Sequence, residues 1–591
     1  MNKNVAEFYQ AEIEKFTQDL HQLKKQLLIS SITRLLLFLL VCVGIYVFFG
    51  NTKIVIAIII AGIAGFLFLV TRHSKFQSQR DLIEAILSQN ERELIVLNRN
   101  FHHLPDGSEY KNTMHEYSQD IDLFGRGSFY QYLNRTALSS GSDLLAQLLT
   151  ENSITHIPKK QKAVQELAEK PQWRQRFSAI ASLVKTETSV AEVTRWLDSY
   201  TSFAPSWTKI VSLLFSILSI AGMVSYYFGF ISGYVLFGWF LLGLAISGRY
   251  LKRVNELSSK TSKIQSTFAQ FQQLILAIEK EDFSSEMLSE KKNLILNTSA
   301  KASEKLKQFA KHLDSLDQRN NMLIGVIANG FFLRDLNISS KIEKWIAAYK
   351  DEVAAWFDVI THFDAYNSLG NYTFNHPSAQ FATITEDATV IDLKGTIHPL
   401  LNPETAIAND FKIDAHEFFI ITGANMAGKS TFLRTVGLQI VMSNMGLPTH
   451  VKSAFYTPIK LITSMRTTDS LTDDESYFFS ELKRLKLVVD KTKDDDYFII
   501  LDEILKGTNS IDKAKGSKKF VEKLVKSNAT GIIATHDLSL CEVANELPQV
   551  HNYFFDARIE NNELFFDYTL TPGICKNMNA SFLLKKMEIV E

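Results

Sequence analysis

Cysteine is nearly missing from this chain: Cys42, Cys541 and Cys575 are the only three in 591 residues. With no CxxC pair and no Cys/His cluster, neither a disulfide framework nor a zinc site is supported, which fits a reducing compartment for most of the chain. An excess of one charge is missing too, with 63 Lys and Arg against 64 Asp and Glu. No global electrostatic pull toward nucleic acid follows, although a local basic surface stays open. Low-complexity segments and short-period repeats are also absent. What the chain does have is length enough for two to four domains, 42 phenylalanines, and long apolar runs.

Four of these runs fall in two tight pairs. Leu35–Phe49 and Ile54–Val70 are separated by "GNTK", and Ile210–Phe228 and Tyr234–Ser247 by "GFISG". Each run is near the lower end of the roughly 17–25 residues that cross a bilayer as a helix. No Asp, Glu, Lys or Arg lies deep in any of them, so an ion or proton path has no ligands. The pattern predicts two transmembrane helical hairpins. Lys24, Lys25 and Arg34 precede the first, and Arg72, Lys75 and Arg80 follow it. Lys209 precedes the second; Arg249, Lys252 and Arg253 follow it, and the turns hold only Lys53. By the positive-inside rule both hairpins enter from the cytoplasmic side and return there. The first run is no cleavable signal, since a mostly polar stretch precedes it and a second span follows.

The soluble parts order themselves around the hairpins. Residues 1–30 carry a mixed-charge helical pattern, and the first hairpin occupies 31–72. A helical segment covers 73–208, in which residues 81–100 read as a separate polar helix. The second hairpin spans 209–248, and 249–369 is an all-α region nearly free of proline. Between 250 and 320 twelve Lys and Arg face nine Asp and Glu, which suits a solvated helical face better than a DNA track. Shorter strand-like pieces begin near 370 and open an α/β domain running to 591.

That last domain carries chemistry. Gly423-Ala424-Asn425-Met426-Ala427-Gly428-Lys429-Ser430, followed by Thr431, fits GxxxxGK[ST] between the apolar strand "EFFIIT" and a helix. Glycines there turn backbone N–H groups toward phosphate, and the helix N-terminus adds its dipole. Lys429 is expected to reach the β- and γ-phosphates and Ser430 to ligate Mg²⁺. In "DDDYFIILDE" a buried strand delivers Asp502 to the same Mg²⁺ and Glu503 to an attacking water as general base. A third strand, "GIIATHD", ends in His536, placed to sense the γ-phosphate. The three together describe an ABC-type P-loop ATPase that uses ATP and Mg²⁺.

"ITGANMAGKSTFLRTVG", "DEILKGTNSIDK" and "IIATHD" resemble the ATPase domain of the MutS mismatch-repair family. "TTDSLTDDESYFFSEL" is similar to that family's signature loop, so the resemblance implies a dimer in which Ser476 contacts the γ-phosphate in trans. It also implies that Gly507, Thr508 and Asn509 form the loop after Glu503. "HPLL" with Asn409 and Asp410 resembles the lead-in to the ATP site. "DLFGRGSFYQYLNRTALSSGSDLLAQLL" and "IPKKQKAVQEL" resemble the start of the family's helical core. The similarity covers about 120–190 and 250–591 and is densest over 390–580. Departures are equally specific. The mismatch-reading domain has no counterpart, and Phe129 lacks the Glu two positions on. Asp474 stands where the signature loop has glycine, and Ala406 where an aromatic often stacks on adenine. The chain ends at Glu591 without the family's terminal helix-turn-helix, and the second hairpin interrupts the helical core.

The expectation is a membrane-anchored, MutS-like ATPase that works as a homodimer and moves lever helices joined to the hairpins, its soluble parts facing the cytoplasm. The alternative is a clamp on double-stranded DNA without base-specific mismatch reading. A third class, an ATP-driven transporter component, fits poorly because the spans lack polar ligands.

Overall fold

A computed structural model describes residues 3–183, 188–296, 301–320, 322–424, 426–466, 477–560 and 563–575. The described chain is mostly helical and carries two mixed sheets. Two helices, α1 (Lys3–Val47) and α2 (Thr52–Leu97), form the N-terminal hairpin. At 1.5 Å per residue each is about 68 Å long. Residues 3–30 and 81–97, expected within separate polar helices over 1–30 and 81–100, are instead the polar ends of these two. The reason is local: no glycine or proline occurs between Asn4 and Val43, so nothing breaks the helix where its character changes. The Asn51 side chain caps α2 by accepting from the Ile54 N–H at 3.3 Å.

Five short helices follow, α3 (Phe129–Leu133), α4 (Ser139–Thr150), α5 (Ile157–Ala168), α6 (Pro171–Ser182) and α7 (Val190–Ser199). The second apolar pair forms α8 (Thr208–Tyr227) and α9 (Gly233–Arg249). Beyond it lie α10 (Leu251–Lys280), α11 (Glu286–Leu296), α12 (Ala302–Asp317), α13 (Met322–Phe332) and the 42-residue α14 (Arg334–Asn375). By length and composition α1, α2 and α8 can cross a membrane; α9 reaches that length only if joined to α10, which it meets at 63°. The α/β region was expected from 370, yet α14 runs on to Asn375 and the first strand starts at Thr383. Buried Leu369 and Tyr372 continue its apolar stripe and hold the helix past that point.

Helix α14 is the spine of the helical region, burying Trp356, Phe357, Val359, Ile360 and Phe363 in one core. It also carries a buried acid. Asp364 accepts from the N–H groups of Ala137 (3.1 Å) and Leu138 (2.9 Å) and so caps α4 from a distance. Burial pushes its carboxyl up to about 7, against the pull of those two donors. A folded pKa raised above the unfolded value means stability present below about pH 4 and lost as pH rises toward 7. Asp364→Asn is neutral throughout, so it should gain on the wild type across that window. At about 1.4 kcal/mol per pKa unit the gain is a few kcal/mol. Thermal midpoints of both proteins at pH 4 and pH 7.5 check this, and a gap independent of pH would refute it.

Two sheets complete the fold. The first has the order β1 (Thr383–Ile384), β5 (Ser453–Tyr456), β2 (Thr389–Thr396), β3 (Asn409–Asp414). The second contains β4 (Phe418–Gly423), β6 (Lys460–Ser464), β7 (Tyr497–Asp502), β8 (Thr530–Ala534), β9 (Val550–Glu560) and β10 (Glu563–Pro572), in the order β10-β9-β4-β8-β7-β6. All neighbours there are parallel except β10 on β9. Continuous apolar runs such as "FFII" and "YFIIL" suit strands buried on both faces. Helices α15 (Lys429–Met445), α16 (Tyr477–Lys491), α17 (Ser510–Lys526) and α18 (Val543–Glu546) complete this region. The edge of β6 is covered by the irregular connection between α2 and α3: Thr463 N–H donates to the Glu116 carbonyl at 2.9 Å, and Asp120 accepts from Thr463 Oγ1 at 2.6 Å and Arg466 N–H at 2.9 Å.

Candidate nucleotide site

Three adjacent parallel strands, β4, β8 and β7, end on the same side of the sheet, and each delivers part of one constellation. Beyond β4 the chain turns through Ala424 to Gly428 and enters α15 at Lys429. Gly428 takes φ 99° there, which favours glycine, and a Cβ on it would crowd the Tyr568 ring at 3.0 Å. Met426 is exposed at φ 69°, and Ala427 is buried behind the turn. Asn425 lies outside the described residues. Lys429 is buried, its Nζ donating to the carbonyls of Gly423 (2.7 Å) and Ala424 (2.9 Å). Burial pulls its ammonium below the usual lysine value, against the opposing charges of Asp502 and Glu503.

Strand β7 ends at Asp502, whose Oδ2 accepts from Ser430 Oγ at 2.8 Å. Burial raises this carboxyl above the ordinary aspartate value, and the Ser430 hydrogen bond opposes the rise. The next residue, Glu503, stands in the left-handed region at φ 48°, and Leu505 does so at φ 61°. Such backbone stores strain and aims the side chain off the strand. Glu503 N–H donates to the Ala534 carbonyl of β8 at 2.9 Å. His536, just past β8, sets Nε2 3.1 Å from Glu503 Oε1 and 3.3 Å from Lys429 Nζ. Burial first, then Lys429, lowers the His536 pKa, so its ring is neutral at physiological pH. Its Nε2 thus faces an acceptor in Glu503 and a donor in Lys429, and the tautomer decides which of the two it bonds.

These groups line one cavity of about 630 Å³, a size that takes a nucleotide. Lys429, Ser430, Thr431, Asp502, Glu503 and His536 are on its wall, as are His398, Ala406 and Asn409 of the lead-in. Two carboxylates beside a hydroxyl suit a hard divalent cation, and a buried ammonium with a helix N-terminus suits phosphate. Asn509 caps α17 by accepting from Asp512 N–H at 2.9 Å, which ends the Gly507–Asn509 turn. Ser476 and Asp474, expected in a signature loop, lie outside the described residues.

Two further residues bear on the site: Tyr568, which carries no sequence signal, and Glu481, which lies within "TTDSLTDDESYFFSEL" but has no role assigned by that resemblance. Tyr568 of β10 lines the cavity at a bulge, stapled by Asn409, whose Nδ2 donates to the Tyr568 carbonyl at 3.0 Å and whose Oδ1 accepts from Leu570 N–H at 2.7 Å. Its ring lies over Gly428 at the mouth of the loop. Glu481 of α16 is 2% exposed and accepts the Lys506 N–H on both oxygens (3.0 and 3.3 Å). It thereby braces the strained turn after Glu503.

Comparison with known proteins bears on this same region. Residues 419–588 match the family described as MutS domain V. The DNA mismatch repair protein MutS of Thermotoga petrophila is 30% identical over 189 residues, 31% of this chain and 24% of that protein. That of Natronomonas pharaonis is 32% identical over 238 residues, 39% of this chain and 27% of the other. The human MutS protein homolog 4 is 29% identical over 216 residues, 34% and 23% of the two chains. The chain thus spans about a quarter of the length of these curated relatives. Through residues 419–588 the chain is similar to the MutS family, and the likeness is to that family's domain V.

Proposed function

We propose that the chain is a membrane-anchored ATPase of the MutS family, binding ATP with Mg²⁺ at the β4–β7–β8 cavity and working as a homodimer. One observation carries this: Lys429, the Ser430–Asp502 pair and the Glu503–His536 pair converge on a single cavity. The parallel order β9-β4-β8-β7-β6 supports an ABC-type P-loop arrangement. Ser430 and Asp502 would hold Mg²⁺, which when bound supplies positive charge against the phosphate oxygens. Lys429 exchanges its two carbonyl partners for phosphate oxygens and stabilises charge on the transferred group. Glu503 takes the proton of the attacking water, held in place by His536 Nε2. ATP hydrolysis by the full chain in detergent tests the proposal. Turnover should require Mg²⁺ and be lost in Lys429→Ala, and an unaltered rate in that variant would sink it.

Coupling to the apolar helices has a direct contact behind it. Arg99, two residues past α2, donates from Nη1 to the Pro399 carbonyl at 3.1 Å. His398 and Leu401 to either side of that contact line the cavity. A shift of the lead-in loop on nucleotide binding is therefore felt at the end of the N-terminal hairpin, and α14 supplies a second lever. The relatives' names, DNA mismatch repair protein, support a second reading as a DNA clamp. It requires salt-dependent binding of duplex DNA by the purified chain; no binding at low salt rejects it.

A further inference from the structure

Between the second hairpin and α14 lies a helix that the proposed function leaves without a role. Helix α13, MLIGVIANGFF, has eleven residues and no charge. It packs on α9 and α8 at very close range. A Cβ on Gly243 of α9 would meet the Gly330 carbonyl of α13 at 2.0 Å, so the two backbones touch. Ser219 Oγ of α8 donates to the Phe331 carbonyl at 2.6 Å and accepts from Trp239 Nε1 of α9 at 2.7 Å. Phe331 also meets the Phe240 ring, centroids 5.1 Å apart. Glycine-mediated backbone contact and a serine hydrogen bond between helices are how helices associate in lipid.

Among the described residues of α13, two apolar side chains stand uncovered. Val326 is 40% exposed and Ile327 54%. They belong with the exposed apolar side chains of α8 and α9, such as Leu218 and Leu241. At 1.5 Å per residue α13 is about 16 Å long, half of the ~30 Å hydrocarbon layer, so it does not cross. Its ends return to one polar cluster. Arg319 before it pairs with Asp335 after it at 3.0 Å, and Arg334 Nη2 donates to the Ser315 carbonyl at 2.6 Å. Asp335 N–H donates to Asn329 Oδ1 at 2.9 Å. Leu333, at φ 47°, reverses the chain between α13 and α14.

We propose that α13 is a third membrane element, a re-entrant half-helix seated against the second hairpin, with Val326 and Ile327 facing lipid acyl chains. The chain enters and leaves on the same side, and α14, which runs from there to the α/β region, is rooted in the bilayer. This rests on the membrane-anchored reading of α8 and α9. Lipid rather than a protein is the occupant because the exposed face is continuous with that of the hairpin and carries no charge for a partner to recognise.

The test places a photo-crosslinking amino acid at Ile327 in the full chain, reconstituted in phosphatidylcholine–phosphatidylglycerol vesicles. Val326 serves as a second position, Leu218 of α8 as the hairpin reference and the exposed Lys519 as the soluble reference. Lipid adducts, read by mass, should be as abundant at Ile327 and Val326 as at Leu218, and absent at Lys519. Adducts at Leu218 with none at Ile327 and Val326 overturn the inference and leave the anchored reading standing. No adducts at Leu218 either would overturn both.

Discussion

In Glu503→Gln, ATP turnover should fall by about 10²–10⁴-fold while nucleotide affinity stays within a few-fold of wild type. The substitution keeps shape and removes only the basicity. Glutamine offers His536 Nε2 either an amide oxygen or an NH2 across the 3.1 Å contact, so the pocket wall is preserved. Nothing that would contact phosphate is altered, because Lys429 and the Ser430–Asp502 pair sit on other elements. Burst and steady-state rates with equilibrium binding of a fluorescent ATP analogue separate the two effects. A variant that loses binding and turnover together would make Glu503 a structural residue of the strained φ 48° turn. Normal turnover would remove it from the chemistry altogether.

The parts of this site legible in the sequence are those whose spacing the chemistry itself constrains. A phosphate loop needs Gly428, Lys429 and Ser430 in immediate succession, and the strand ending in Asp502 and Glu503 announces itself by its apolar run. Tyr568 was illegible for the opposite reason: it comes from a distant element, and only the tertiary fold gives an isolated Tyr a partner. Glu481 stands inside a motif, but its partner, the Lys506 N–H, only the fold supplies. Asn425 and Ser476 stay expectations, since both fall outside the described residues. In the fold, apolar runs revealed α8 and α9, but α13 passed as an ordinary stretch of a long helical region because eleven residues are too few for a span. The division of α1 and α2 into polar and apolar pieces followed composition, which the backbone does not respect when no breaker stands between. Glu93 was hidden in the same way, within "NERELIVLN", which reads as a solvated helix face.

That glutamate should show the largest stability effect in the molecule: Glu93→Ala is expected to cost about 3–5 kcal/mol. Its side chain is 5% exposed and receives Arg135 Nε at 2.5 Å on one oxygen. The other oxygen accepts from Asn375 (2.9 Å) and Asn371 (3.1 Å), both on α14. Burial alone would raise the carboxyl pKa, but Arg135 and Arg92 outweigh it and hold the group below the usual glutamate range. Arg174, fully buried and lowered to about 10 by that burial, donates to Asn371 Oδ1 at 2.9 Å, and Tyr9 of α1 donates to Asn375 Oδ1 at 2.7 Å. One carboxylate thus compensates several buried cations at the place where α1 and α2 dock on α14. Removing it leaves Arg135 charged, buried and without its acid, which is far costlier than losing an exposed pair. Replacing both partners, Glu93→Leu with Arg135→Met, should recover part of the loss, because the Arg135 charge goes too while those of Arg92 and Arg174 stay. Thermal unfolding in detergent, with protease release of the N-terminal hairpin as a second readout, distinguishes these cases. A loss below about 1 kcal/mol in Glu93→Ala would place the pair among solvated surface contacts. The hairpin would then be held on the core by apolar packing and by neutral contacts such as Tyr9–Asn375 and Gln175–Asn90, and any coupling between nucleotide and membrane would have to pass through Arg99 and α14.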